Sequence, residues 1–488
     1  MKKLFALLLT VGLILSFTGC GTGKKKTADG NVPTLTWYVP GDAQDDTALI
    51  NEEASKITRE KIGANIEIRF IDTGAYKERM SMNMASSATF DLCFVGYLYP
   101  YSEAVNMGGL MEIGDLLNKY AKDVLNSMPD YALDAATTEN GIYAVPNQQI
   151  MGFGGAYFLR KDLAEKYNID IENVKNLDDV ELIAKTIKDN EPELVPAMCP
   201  TVGNFRYKDG IDSKVEAIVI ASPTIWWDVE KEKVIPFYEV PGLRDGAAKM
   251  NEWYKNGYLR QDIAINSDSG WGDSYSRAGR YAIVSETNKP GILSEIKNRT
   301  GYEYVQLFAT PAVMAYNSPL ATATAVSRTS KHPEEAVKFL NLINTDKELY
   351  NIICYGIEGK HYKYENERVT LIENSGYEPN ADWKFGNQFN ALLKEGQADD
   401  DWEKTKEIND SAVKAPFMGI FFNTDDILTE TAQIAKINAK YVDGLIDTGV
   451  QHPDEYWDDY ISEMKKAGID KVVDSYQKQI DNFMKNKK

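Results

Sequence analysis

Between Thr34 and Val95 strand and helix patterns alternate, and that order leaves few folds open to the chain. TLTWYV (34–39) sets Leu35, Trp37 and Val39 against Thr36 and Tyr38, then breaks at Pro40 and Gly41. From Asp45 to Lys61, Ile50, Ala54 and Ile57 recur at helical spacing, with carboxylates early and basic residues late, as the helix dipole favours. ANIEIRFID (64–72) alternates again, with Ile66, Ile68 and Phe70 opposing Glu67 and Arg69. A helical stretch carrying Tyr76, Met80 and Met84 follows, and LCFV (92–95) reads as a strand buried on both faces. This βαβαβ order predicts an α/β fold whose parallel sheet is covered by helices. Ligands of such sheets bind at the carboxyl ends of the strands, which draws interest to Pro40, Gly41 and Asp42 after the first strand and to Gly96, Tyr97, Tyr99 and Tyr101 after the third.

The segment ahead of the fold has a different character. Lys2 and Lys3 precede an apolar run, Leu4 to Phe17, of about 14 residues, shorter than the roughly 18–20 a spanning helix needs. It reads as a secretory signal over 1–19, closed by FTGC (17–20). Cys20 stands where a bacterial lipobox places its diacylated cysteine, although Phe17 departs from the usual leucine. Two acyl chains make a stable anchor. Residues 20–33 lack apolar periodicity and read as the lipidated cysteine and a flexible tether. The body is therefore expected at the extracellular face of the cytoplasmic membrane.

Composition removes several functions. A net charge of -19 argues against nucleic acid as a partner, because that binding depends on clustered Lys and Arg. Beyond Cys20 only Cys93, Cys199 and Cys354 remain, too few and too odd in number for a disulfide framework, and Cys93 in DLCFVG reads as a buried thiol. Stability has to come from a large core, which 43% hydrophobic content supports.

The rest of the chain continues the mixed pattern. GIYAVPNQQ (141–149) reads as a strand running into an extended segment. YFLRKDLAEKY (157–167) and LDDVELIAKTIKDN (177–190) read as helices, IWWDVEKEKVIPFYE (225–239) as two short strands about a charged turn, and RDGAAKMNEWYKNGY (244–258) as a helix stopped by Gly257. RYAIVSETNKPG (280–291) is a further strand, and residues 332–356 are helical with Val337 and Leu340 facing inward. The last third is more helical, with stripes at Ile434, Ile437, Tyr441 and Leu445 and at Val473, Tyr476, Ile480 and Phe483.

Local catalytic signatures are absent: there is no GxSxG, GxxxxGK[ST], HExxH or CxxC, and His332, His361 and His452 lie far apart. No cofactor and no metal are expected. A glycosidase needs only two carboxylates on any scaffold, so a secreted carbohydrate-active enzyme stays as an alternative.

The lipobox, the tether, the αβ order and GIYAVP followed by YFLRKDLAEKY together resemble the extracellular solute-binding proteins of bacterial ABC importers, the sugar-binding group in particular. Residues 329–362, DWKFGNQF (382–389) and AGIDKVVDSYQKQID (467–481) resemble a branch with an extra C-terminal domain of unassigned function. The resemblance implies a type II two-lobed fold, periplasmic-binding-protein-like, with parallel-rich sheets, joined by hinges near 145–149, 307–311 and 355–362. One lobe is then 34–146 with 311–356, and the other 150–306 with 363–488. It further implies a monomer that captures an oligosaccharide and delivers it to ABC permease membrane subunits without catalysis. Peptide or other solute capture, and sensing on behalf of a membrane kinase, remain alternatives.

A sugar presents apolar C–H faces and hydroxyl edges, so its site needs flat rings beside fixed polar groups. Trp383 and Asn387 in the branch motif are the leading pair, with Tyr97 stacking from the opposite lobe and Asp42 and Gln148 orienting hydroxyls. Asn288 and Lys289 sit at another strand exit, and Trp271 lies in a polar loop. Glu358 and His361 either bind ligand or fasten a hinge. Trp226 and Trp227 point to opposite faces of any strand, and Trp253 lies on a helix stripe as core.

Overall fold

The computed structural model describes residues 32–198, 214–263 and 274–486. Cys20, the signal, most of the tether, Cys199 and Trp271 lie outside the described residues.

Strand β1 (Thr34–Pro40) buries Leu35, Trp37 and Val39 completely, as its alternation requires. It pairs in parallel with β2 (Asn65–Ile71) on one side and β3 (Leu92–Gly96) on the other. Between them α1 (Thr47–Ile62) packs Ile50 and Ala54 inward, and α2 (Tyr76–Ala85) packs Tyr76, Met80 and Met84. All five residues of β3 are buried, which its unbroken apolar run demands, and Cys93 is among them. After short helices the chain returns as β4 (Ala144–Pro146), then crosses to a second lobe.

That lobe begins with β5 (Gly155–Arg160), followed by α3 (Leu177–Asn190), β6 (Val195–Ala197), the antiparallel strands β7 (Ala217–Ala221), β8 (Ile225–Asp228) and β9 (Lys233–Pro236), and α4 (Leu243–Lys255). Here the helix expected over 157–167 divides. Tyr157, Phe158 and Leu159 are consecutive and all buried, which a central strand provides and a one-faced helix does not; only Lys161–Lys166 is helical. α3 starts on Asn176, whose side chain accepts from the Asp178 and Asp179 amides while Asp179 reaches back, a reciprocal cap. The lobe closes with β10 (Tyr281–Thr287), α5 (Ile292–Thr300) and β11 (Tyr304–Ala309).

The chain then crosses back through β12 (Val313–Met314) to β13 (Thr322–Val326), α6 (Pro333–Thr345) and α7 (Lys347–Tyr355). The first-lobe sheet runs β2-β1-β3-β13-β4 and the second β11-β5-β10-β6. These sheets are mixed rather than parallel-rich: β13 is antiparallel to β3 and β4, and β5 to β10 and β11. The reason is topological. Strand β13 enters from the other lobe, so no right-handed crossover fixes its direction.

The hairpin β14 (Tyr362–Glu365) and β15 (Arg368–Leu371) stays with the first lobe, as does the chain beyond it. Tyr362, Val369, Phe385, Ala391 and Ala412 share one core with Trp37 and Phe339. Residues 363–412 therefore depart from the second-lobe assignment expected for 363–488. The third crossing moves with them, from 355–362 to β16 (Val413–Lys414), which follows α8 (Asp401–Ser411). Ala415 and Phe417, just beyond, enter the second core. The three crossings lie side by side: Phe153 and Val313 exchange backbone hydrogen bonds of 2.8 and 2.9 Å, and Val413 donates to Ala312 at 3.0 Å. Gly152 and Met151 donate to Asn409 Oδ1, which ties the first crossing to α8.

The C-terminal region, α9 (Leu428–Asn438), a wider-turned extension to Ile446, α10 (Trp457–Lys466) and α11 (Ile469–Asn486), covers the β7–β9 sheet. Trp227 meets Phe417 edge-on at 5.2 Å, and Trp226 stacks on Phe237, so the two tryptophans pack on opposite faces as read. Trp253 is fully buried. No described helix is long and apolar enough to cross a membrane.

Candidate ligand-binding cleft

The carboxyl ends of β1 and β3 meet a one-turn helix, Asp382–Lys384, and these three pieces build one wall of a cleft. Tyr97 is 52% exposed, lies 5.9 Å edge-on from Phe94 and 5.7 Å from the Trp383 ring at 45°. Both rings belong to the first lobe, so Tyr97 does not face Trp383 from the opposite side as expected; β3 and the 382–384 turn share that lobe's core. Trp383 is half-buried, whereas Phe385 beside it is buried 5.4 Å from Trp37. The motif thus anchors one ring and presents the other.

Lys384 lies beneath the Trp383 ring, its Nζ 4.9 Å from the ring centre and donating to the Pro40 carbonyl at 3.1 Å. Burial pushes its ammonium pKa down, and the charge of exposed Asp42 offsets part of that. The following backbone is held by the first crossing: Gln148 donates to the Gly386 carbonyl at 2.8 Å, and Gln388 donates to that of Gln148 at 2.8 Å. Gly386 has φ 32°, and a Cβ there would come 2.7 Å from the Ile343 carbonyl, so no side chain fits.

Asp382 is 4% exposed, and its carboxylate accepts from Lys394 Nζ at 3.0 Å and Gln388 Nε2 at 2.9 Å. Burial alone would raise its pKa, but the Lys394 charge and these two hydrogen bonds outweigh it and hold the carboxyl below the ordinary range. Together with Gln149, Trp383 and Trp402 these groups line a recess with about 160 Å³ of free space, faced across the cleft by Lys289 and Glu295 of the second lobe. Lys289 pairs with Glu295 at 2.9 Å. A wider opening beside it, about 510 Å³, is lined by Asn288, Lys289, Gln306 and α8.

Asp42, Tyr97 and Trp383 thus gather on one wall and Asn288 and Lys289 on the other. The other expected residues that the structure describes do not join them. Gln148 is buried and its amide turns to Ser127 Oγ at 3.4 Å, because its backbone is committed to residues 386–388. Asn387 spends its side chain locally: Oδ1 accepts from the Phe389 amide at 3.0 Å and Nδ2 donates to the Asn344 carbonyl. His361 is completely buried; its Nδ1 accepts from the Ile357 amide at 2.9 Å and its Nε2 lies 3.0 Å from Asp46, so it fastens a first-lobe turn to the start of α1. Glu358 is exposed on that same turn. Asp382, Lys384, Lys394, Gln149 and Trp402 were not singled out from the sequence. The buried ionic pair had one available signal, the two charged residues Asp382 and Lys384 within the otherwise apolar and amide-rich DWKFGNQF. Among the described residues no cluster of three His, Cys, Asp or Glu is placed to hold a metal ion.

Known proteins share this architecture. A carbohydrate ABC transporter substrate-binding protein of Streptococcus pneumoniae is 29% identical over 504 residues, covering 100% of this chain and 99% of that protein. The crystal structure of the N-glycan transport solute-binding protein NgtS from the same organism superposes with a TM-score of 0.82 at 26% identity, covering 93% of this chain and 100% of that one. NgtS in complex with Man5GlcNAc superposes at 0.70 with 27% identity, over 93% of this chain and 99% of that one. Residues 416–485 match a domain family of unknown function, DUF3502, which is the helical cover on the second lobe. Residues 41–349, which run from the end of β1 through both lobes into α7, match the bacterial extracellular solute-binding proteins, and the chain belongs to that family.

Proposed function

We propose that the chain captures an extracellular oligosaccharide between its lobes and hands it, chemically unchanged, to the membrane permease subunits of an ABC importer. The observation that carries this reading is the partly exposed Tyr97–Trp383 pair standing beside the fixed polar groups of Asp382, Lys394 and Gln388. Rings of this kind take the C–H faces of a sugar, and prepaid hydrogen-bonding groups take its hydroxyls. Asp42 on the same wall and Asn288 and Lys289 opposite complete the proposed contact set. A ligand touching both walls favours closure, and the three adjacent crossings supply the hinge.

Because NgtS is described with Man1GlcNAc and Man5GlcNAc, mannose–GlcNAc oligosaccharides are the first probes. Calorimetric titration followed by mass spectrometry of the recovered sugar is expected to give 1:1 binding with intact ligand; turnover at substoichiometric protein would mean an enzyme instead. Trp383→Ala and Tyr97→Ala are each expected to weaken binding by about 1–3 kcal/mol, roughly 5- to 150-fold in Kd, with the fold retained. Unchanged affinity would remove these rings from the site.

The working location follows from Cys20 as a lipid anchor. Cys20→Ser is expected to move the protein from the membrane fraction to the medium, and full membrane retention of that variant would refute the anchor.

A further inference from the structure

Two helices from different lobes meet end to end beside the cleft. α5 of the second lobe starts after Gly291 (φ 76°), and no side chain caps it. α8 starts at Asp401 and is held to the first lobe through Trp402, whose Nε1 donates to the Ala391 carbonyl at 3.0 Å. Each helix carries partial positive charge at its start, so the juxtaposition is repulsive unless an anion lies between them. Asp401 is that anion. A Cβ on Gly291 would come 3.1 Å from Gln397 Nε2 and 3.2 Å from Asp401 Oδ2, so the first-lobe amide and carboxylate crowd the space that an ordinary capping side chain of α5 would enter.

The hydrogen-bond accounts of the two partners are complementary. Asp401 is 5% exposed; the Ala398 amide and the Gln397 side chain support its carboxylate against the cost of burial, yet its Oδ2 has no hydrogen-bond partner. The Leu293 amide, the second of α5 and one that a cap normally satisfies, finds no acceptor among the described residues. A buried carboxylate oxygen without a donor is costly, and a small approach of the lobes would bring it the amide of Leu293, which is 40% exposed. Gly396, next to this contact, also lies against α5, since a Cβ there would press on Ser294 Oγ.

We propose that Asp401 is a positioning residue that caps α5 from across the cleft and latches the two lobes as they close. The proposal rests on the reading of two hinged lobes, but its test needs no ligand. Hydrogen exchange of the full mature chain, followed by mass spectrometry of peptides covering 291–300, reports the first turn of α5. Asp401→Ala is expected to accelerate exchange there about fivefold, the usual size of a lost cap, while peptides covering β5 stay unchanged. Asp401→Asn is expected to stay near the wild-type rate, because an asparagine amide oxygen caps as well as a carboxylate. Equal rates in wild type and Asp401→Ala would overturn the latch, as would Asp401→Asn exchanging as fast as Asp401→Ala, or acceleration spread evenly over the second lobe. A chain that binds no oligosaccharide would refute the transport reading and leave these exchange results standing.

Discussion

Lys394→Met is expected to cost about 3–5 kcal/mol of folding stability at neutral pH, and adding Asp382→Asn is expected to restore most of it. Lys394 is the cation that keeps the buried Asp382 carboxylate charged; the lysine side chain is 31% exposed and the aspartate 5%. Removing the lysine therefore strands the more deeply buried partner, with only Gln388 still donating to it. The reverse change, Asp382→Asn alone, strands the better hydrated partner and should cost less. Replacing both members removes the charge problem, which is why the double variant returns toward wild type.

The pH dependence distinguishes this from simple loss of packing. In the wild type the Asp382 carboxyl is held below its ordinary value, so its stabilisation is present above the unfolded carboxylate pKa near about 3.9 and is lost as pH falls through the lower folded value. In Lys394→Met burial remains and the lysine charge is gone, so the folded carboxyl rises and binds its proton more tightly than the unfolded one. That variant gains relative stability on acidification. Urea unfolding at pH 7 and near pH 4 is expected to show the gap between the two proteins narrowing, and a gap independent of pH would count against the ion pair as its cause.

What the sequence revealed of this architecture depended on periodicity. Leu35, Trp37 and Val39, or Val180, Ile183 and Ile187, announce a buried face because their spacing matches one element. Tyr157, Phe158 and Leu159 do not, because a short apolar run suits a central strand and a buried helix equally until its neighbours are known. The site divided in the same way. Strand ends locate Asp42 and Tyr97, but the side chain of Asn387 was spent on the Phe389 amide and that of Gln148 turned to Ser127, facts of local hydrogen bonding that spacing does not encode. The lobe boundary was missed for a related reason. Between β15 and α8 the chain has nothing longer than one helical turn to carry a periodic pattern, and it is the insertion of Phe385 against Trp37, with Val369, Ala391 and Ala412 in the same core, that shows which lobe it serves.

That insertion makes Trp37 the link between fold and site, and Trp37→Ala is expected to lose on both. The indole is fully buried at the centre of β1, edge-on to Phe339 and to Phe385, each at 5.4 Å. Truncation opens a cavity between β1, α6 and the 382–388 segment, costing about 3–5 kcal/mol of stability. Phe385 follows Lys384 and Trp383 directly, so the wall that presents the Trp383 ring loses its support, and affinity for an oligosaccharide should fall even where the variant remains folded. Trp253→Ala is the matched control: it empties a comparable buried position in the second lobe, against Tyr258, away from that wall. Its stability loss should be similar and its binding unchanged. Trp37→Phe keeps the aromatic contacts and removes a ring N–H that has no acceptor among the described residues, so its cost should stay well below that of alanine. Chemical denaturation with titration on the folded variants tests all three, and equal loss of affinity in Trp37→Ala and Trp253→Ala would show that the core beneath Trp383 has no special hold on the site.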